Sequence, residues 1–132
     1  SPPGVVAATE EALRQMRARP VLRQRLMANA RRLYAGLAGL GFNLGPEPNP
    51  VVSAIMPNPE VAFTFWSRLL AAGLYTNVSL PPATPRGLAL LRSSVSAAHT
   101  PEQIDRALDM FAGAGRGLGL FAPGRVLAPA AD

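Results

Sequence analysis

The sequence contains no cysteine and no lysine, and its only histidine is His99. The lack of cysteine excludes a disulfide scaffold, a zinc site built on thiolates and a thiol nucleophile. The lack of lysine means that no side chain can form a Schiff base with a carbonyl cofactor or a sugar, and that no P-loop lysine is present. Because a single histidine also excludes sites built from several histidines, we predict no metal site in this chain.

Long apolar runs and export signals are missing as well. No apolar run approaches the roughly 20 residues that a membrane-spanning helix needs. The first four residues, SPPG, lack the basic stretch and the apolar core that make an export signal. We therefore expect that no signal within this chain exports it or embeds it in a membrane.

What the chain does have is enough apolar sequence for one core. Its 132 residues are 48% hydrophobic and 16% charged, which is typical of a single globular domain. The formal net charge is +5, and all 13 basic residues are arginine. Seven of them lie from Arg14 to Arg32 among leucines at helical spacing, and Tyr34, just beyond this stretch, is the only aromatic residue near it. This pattern is typical of the solvated face of an amphipathic helix, so we predict no nucleic-acid partner.

The pattern of apolar residues, prolines and glycines predicts the order helix, helix, strand, helix, strand, strand, helix. The predicted helices cover residues 5–16, 22–40, 59–72 and 101–111, and the predicted strands cover residues 51–56, 74–78 and 88–96. Pro20 interrupts the first helical stretch, which leaves either one kinked helix or two helices at an elbow. Asn58 and Thr100 are predicted N-caps, and Gln103 completes a capping box with Thr100.

These elements predict an α+β fold with a small, three-stranded, mainly antiparallel sheet and helices on one face. The other face of so thin a sheet must be solvated or lie against something outside this chain. Phe65 and Trp66 lie in the apolar stripe of the third helix and are predicted to belong to the core. We predict one domain over residues 1–112, which begins with two connecting helices, and a partly disordered Gly/Ala/Pro-rich tail over residues 113–132.

One part of the chain has a distinctive sequence. Residues 80–87 read LPPATPRG, and residues 90–104 read LLRSSVSAAHTPEQI. Together they resemble the C-terminal end of the α-oxoamine synthases, which are fold-type-I pyridoxal-phosphate enzymes that condense an amino acid with an acyl-CoA and release CO2. The resemblance extends from Ser1 to about Phe121, and the PPATP run before LLR is most similar to the bacterial serine palmitoyltransferases.

The resemblance implies that the chain is the small C-terminal domain of a homodimeric enzyme. The cofactor, pyridoxal 5'-phosphate, and the Schiff-base lysine would belong to an upstream domain, so the isolated chain should be inactive. The implied reaction joins L-serine to a long-chain acyl-CoA with loss of CO2 and gives a 3-keto sphingoid base. The implied location is the cytoplasm. The resemblance also leaves open a peripheral contact with the inner membrane. The alternatives are an 8-amino-7-oxononanoate synthase or other α-oxoamine synthase and, from another class, a non-catalytic interaction module.

Arg92 is the residue to which the resemblance gives a role. It matches the arginine that receives the carboxylate of the amino-acid substrate, and a planar guanidinium suits a bidentate carboxylate. The pattern alone places Arg92 on the same strand face as Leu88 and Leu90. It also allows an arginine that reaches out from a strand end or pairs with a surface acid. Leu80 stands where bacterial serine palmitoyltransferases can carry an arginine, which leaves Arg92 as the main candidate.

The loop before this strand and the single histidine each have two interpretations. The loop consists of Pro81, Pro82, Ala83, Thr84 and Pro85. It is either a rigid turn or, as the resemblance implies, an active-site loop that contacts the substrate at the mouth of a cleft. His99 directly precedes the Thr100 cap, which favours a structural hydrogen bond at the strand-to-helix corner over catalysis.

Overall fold

The computed structural model of the protein describes residues 2–120, and its elements follow the predicted order. The helices are α1 (Pro3–Ala18), α2 (Pro20–Gly39), α3 (Pro59–Ala71) and α4 (Pro101–Gly115), and the strands are β1 (Val51–Met56), β2 (Asn77–Ser79) and β3 (Ala89–Ser94). A 3-10 turn, Pro85–Gly87, lies between β2 and β3. The prediction of an α+β fold is confirmed.

The first helical stretch is two helices that meet at an elbow. Arg19, between α1 and α2, has φ −127° and ψ 64°, which lies outside the helical region. Pro20 then occupies the first turn of α2, where its missing N–H leaves no helical hydrogen bond unmade. α1 buries none of its residues and exposes Val5, Leu13 and Met16, whereas α2 buries part of its length.

The sheet has the strand order β1–β3–β2, and β3 runs antiparallel to both of its neighbours. α3 packs across all three strands, α2 packs against β1, and α4 packs against α2 and α3. The buried residues of the helices and of the strands form one cluster. The helices therefore cover one face of the sheet, as predicted.

Both predicted helix starts are confirmed. The side chain of Asn58 accepts a hydrogen bond from the N–H of Val61, and Thr100 forms the capping box with Gln103. Each cap pairs an N–H group in the first helical turn that has no partner within its own helix. The caps thus define where the chain enters α3 after β1 and where it enters α4 after β3.

β2 is shorter than predicted and begins later. Gly73, with φ +90°, ends α3, and the N–H of Leu74 donates back to a carbonyl of that helix. The indole N–H of Trp66 donates to the carbonyl of Thr76 at 3.0 Å. Because α3 takes these backbone groups, they are not available to the sheet, and the strand begins at Asn77.

The core between the sheet and the helices contains three phenylalanine rings. Phe65 of α3 is fully buried, and its ring centroid is 5.6 Å from that of Phe42 and 5.7 Å from that of Phe111. These separations are typical of interacting aromatic pairs. Trp66 packs against the same core, so the predicted placement of both Phe65 and Trp66 is confirmed.

α2 also holds the loop between β3 and α4. The buried side chain of Asn29 donates through Nδ2 to the backbone carbonyls of Ser96 and His99, each at 2.9 Å. On the exposed side, Arg32 forms a bidentate ion pair with Asp105 of α4. The hydrogen bonds from the guanidinium hold the pKa of Asp105 below its usual value. Asn29 is the buried link between α2 and the start of α4.

We expect Asn29→Ala to lower the free energy of unfolding by about 1 to 3 kcal/mol, because two backbone carbonyls lose their shared donor. Equilibrium unfolding in urea measures the change. Arg32→Ala is the control on the same helix, and it should have a smaller effect because its ion pair is exposed. An Asn29→Ala variant as stable as the control variant would contradict the prediction.

The predicted domain boundary after residue 112 falls inside α4, which continues to Gly115. The helix continues past the glycine at position 113 because Ala114 packs against the core and Gly115 is buried. Leu120 is buried as well. The rest of the predicted tail, residues 121–132, lies outside the described residues.

Candidate functional site

The face of the sheet turned away from the helices is called the open face here. Side chains alternate along each strand, so residues that pair directly across strands share a face. The open face has three rows, which are Val51 with Ser94, then Ser53, Arg92 and Asn77, then Ile55, Leu90 and Ser79. All of these residues are half-buried or exposed.

Arg92 lies on the open face within the central strand. Its side chain is exposed, and its neighbours across the sheet are Ser53 of β1 and Asn77 of β2. Neither of the ion pairs formed within residues 2–120 includes Arg92, and its side chain makes no hydrogen bond there. It therefore neither reaches out from a strand end nor pairs with a surface acid of the described chain. Such a guanidinium is free to bind an anion from outside.

The apolar residues beside Arg92 do not belong to this chain's core. The inward face of β3 consists of Ala89, Leu91 and Ser93, which are buried. Leu90 shares the open face with Arg92, as predicted, whereas Leu88 precedes the strand. Arg92 is thus a charge on a sheet surface that nothing in the described chain covers.

The loop of residues 81–85 joins β2 to β3, next to the row of Leu90 and Ser79. Thr84 is buried, and its hydroxyl donates to the carbonyl of Leu88. The residue before this loop is Leu80, an apolar side chain that packs against the core. Position 80 therefore carries no second cation for the open face. The Thr84 contact is a feature of a fixed turn, and contact between the loop and a substrate stays a prediction.

His99 has the structural role that its position predicts. Its Nδ1 accepts a hydrogen bond from the N–H of Ser96 at 3.2 Å, and its carbonyl accepts from Asn29. Both contacts hold the corner between β3 and α4. No group of His, Cys, Asp and Glu side chains within residues 2–120 could hold a metal ion.

A pocket of about 310 Å³ lies beside the end of β3, between α4 and the segment that leads into β2. Its lining includes Ser93 and Ser94, the two residues after Arg92, but not Arg92 itself. A cleft that uses Arg92 therefore needs a second wall that the described residues do not supply.

None of the helices between residues 2 and 120 is long and apolar enough to cross a membrane.

Sequence patterns did not single out Ser53 or Asn77, the two residues that flank Arg92. Both are far from Arg92 along the chain, and only the register of the three strands brings them into one row. Nothing in their immediate sequence marks them. A correct pairing register for the sheet would have been needed to find them.

Comparison with known proteins relates most of this chain to one family. The matching family is described as aminotransferase class I and II, over residues 1–111. A serine palmitoyltransferase of Caulobacter vibrioides is 52% identical over 92% of this chain, and one of Sphingomonas paucimobilis is 44% identical over 91%. A 2-amino-3-ketobutyrate coenzyme A ligase of Salmonella typhimurium is 38% identical over 91%. The chain spans 30%, 29% and 30% of these three relatives.

The fold also matches a solved structure. A serine palmitoyltransferase variant from S. paucimobilis, with a bound PLP–myriocin aldimine, superimposes with a TM-score of 0.86 and 43% identity. The match covers 91% of this chain and 31% of that one. It confirms the predicted fold, that of the C-terminal domain of a fold-type-I pyridoxal-phosphate enzyme.

Proposed function

Because the chain belongs to the aminotransferase class I and II family, we propose that it is the C-terminal part of a pyridoxal-phosphate-dependent acyltransferase resembling serine palmitoyltransferase. In the proposed reaction, L-serine loses its carboxyl group as CO2, and its α-carbon bonds to the acyl carbon of a long-chain acyl-CoA. Free CoA leaves, and the product is a 3-keto sphingoid base. Identities of 52% and 44% to two serine palmitoyltransferases support this pair of substrates.

The observation that carries the proposal is the unpaired arginine on the open face. The Arg92 guanidinium presents a planar fork of donors, which matches the two oxygens of a carboxylate. A carboxylate held in this way is fixed relative to the sheet, so the bond that breaks in the decarboxylation is oriented too. We assign substrate carboxylate binding to Arg92. The active-site loop is assigned to residues 81–85 at the edge of the same face.

The residues of this chain do not fit covalent attachment of the cofactor, because none of the 132 is a lysine. When bound, pyridoxal phosphate supplies an electron sink that stabilises negative charge at the substrate α-carbon. The proposal places the cofactor and its lysine in an upstream domain that packs over the open face. That domain supplies the second wall of the cleft, and the half-buried Ile55 and Leu90 offer apolar surface to it.

The proposal extends to the assembly and location of the whole enzyme. We assign it to a cytoplasmic homodimer. Because the product is a lipid, we also assign to the enzyme a peripheral contact with the inner membrane. The alternative within the family is another α-oxoamine synthase, such as an 8-amino-7-oxononanoate synthase. The 38% identity to a 2-amino-3-ketobutyrate coenzyme A ligase supports this alternative. The alternative of another class is a non-catalytic interaction module with the same fold.

The test uses the full-length protein purified with pyridoxal phosphate. We expect the visible absorbance of the cofactor to shift on addition of L-serine but not of L-alanine. Release of free CoA should require both L-serine and a long-chain acyl-CoA. A response to L-alanine or glycine instead would replace the substrate assignment by another α-oxoamine synthase. A protein that responds to no amino acid would favour the interaction module.

A further inference from the structure

We propose that Asn77 is a second hydrogen-bond donor to the substrate carboxylate, next to Arg92. This inference rests on the proposed function and adds a residue to the same site. Asn77 of β2 pairs directly with Arg92 of β3, so both side chains leave the sheet on the open face. Residues opposite each other in an antiparallel pair have Cβ atoms about 4.5 to 5.5 Å apart, close enough for one carboxylate to contact both.

The oxygen of the Asn77 carboxamide is in contact with Tyr75. The Tyr75 hydroxyl lies 3.4 Å from Asn77 Oδ1 and donates to it. One of the two lone-pair sites of Asn77 Oδ1 thus accepts from Tyr75, and within residues 2–120 the Nδ2 hydrogens of Asn77 have no partner. The Arg92 side chain has only donors. The two neighbours together present the donors of the guanidinium and of Asn77 Nδ2, against one remaining lone-pair site on Asn77 Oδ1.

Nothing acidic on the open face can satisfy these donors. The three rows contain one cation, Arg92, and neither Asp nor Glu. A carboxylate has two oxygens and about four lone-pair sites, so it can accept from the guanidinium and from Asn77 Nδ2 together. Charge-assisted hydrogen bonds of this kind are the stronger ones in proteins. The row thus fits a carboxylate better than a neutral group of the same size.

The test compares two substitutions of Asn77 in the full-length protein loaded with cofactor. Asn77→Leu removes the donor at similar size, and we expect the Kd for L-serine to rise about 5- to 20-fold. Asn77→Asp places a negative charge beside the carboxylate and Arg92, and we expect a rise of about 30- to 300-fold. Titration of the cofactor absorbance gives Kd. Steady-state kinetics should show KM rising while kcat changes far less.

L-Serinamide separates a direct role from a merely structural one. It is neutral where L-serine is negative, and Asp at position 77 can accept from its amide. The ratio of the Kd for L-serine to the Kd for L-serinamide should therefore rise in the Asn77→Asp variant. A structural defect would weaken both ligands equally. Ser79→Ala, one row away on the same strand and face, is the matched control and should stay within about 2-fold.

Unchanged affinity for L-serine in both Asn77 variants overturns the inference, and so does an equal loss for L-serine and L-serinamide. Arg92→Ala in the same assay distinguishes a failure of the proposed role of Asn77 from a failure of the proposed function. If that variant loses affinity while the Asn77 variants do not, the proposed function stands and only the role of Asn77 fails. If Arg92→Ala also retains wild-type affinity, the proposed carboxylate site itself is wrong.

Discussion

Replacing Arg92 with alanine is expected to lower kcat/KM for L-serine by about 30- to 1000-fold in the full-length protein. The carboxylate loses a bidentate, charge-assisted pair, worth about 2 to 4 kcal/mol once the cleft is closed to water. Arg92→Lys should restore only part of the loss, because a point charge cannot reproduce the guanidinium fork. The loss should also appear in the rate of CO2 release, since the same contact orients the bond that breaks.

Arg86→Ala is the matched control for this experiment. Arg86 is exposed in the turn before β3, and its φ of 56° lies in the left-handed region, where alanine replaces arginine at no extra backbone strain. Its removal should leave both kcat/KM and L-serine affinity nearly unchanged. If Arg92→Ala stays folded and matches Arg86→Ala in both measurements, Arg92 does not bind the carboxylate.

Phe65→Ala is expected to lower the free energy of unfolding by about 3 to 5 kcal/mol. Phe65 is fully buried, and its ring contacts the rings of Phe42 and Phe111. Alanine leaves a cavity between α3 and the sheet that the surrounding strands and helices can fill only in part. Urea unfolding followed by far-UV circular dichroism measures the loss.

Phe63→Ala separates this effect from a general effect on α3. Phe63 lies on the same helix, two residues before Phe65, but 56% of it is exposed. Its removal should change the stability by less than about 1 kcal/mol. Equal losses in the two variants would mean that the three-ring cluster does not dominate the core.

Most of the fold could be predicted because its signals are local. Asn58 and Thr100 cap their helices through groups three residues away, so a short stretch of sequence contains the whole signal. Arg92 could be found for a related reason, since the sequence around it is distinctive. The start of β2 could not be predicted, because the contact between Trp66 and Thr76 joins two elements. The neighbours of Arg92 were missed for the same physical reason, as strand register is a long-range property.

The strand that carries Arg92 is secured on both sides of it. Before its start, the Thr84 hydroxyl donates a hydrogen bond to the carbonyl of Leu88. Beyond its end, Asn29 Nδ2 donates to the carbonyls of Ser96 and His99. The backbone under the guanidinium thus loses its conformational entropy during folding, before any ligand arrives. When a ligand binds to Arg92, the side-chain rotors of Arg92 are then immobilised at a cost of about 0.5 to 1.5 kcal/mol, with no further cost for the backbone of this strand. This preorganisation leaves most of the ion-pair energy available for affinity.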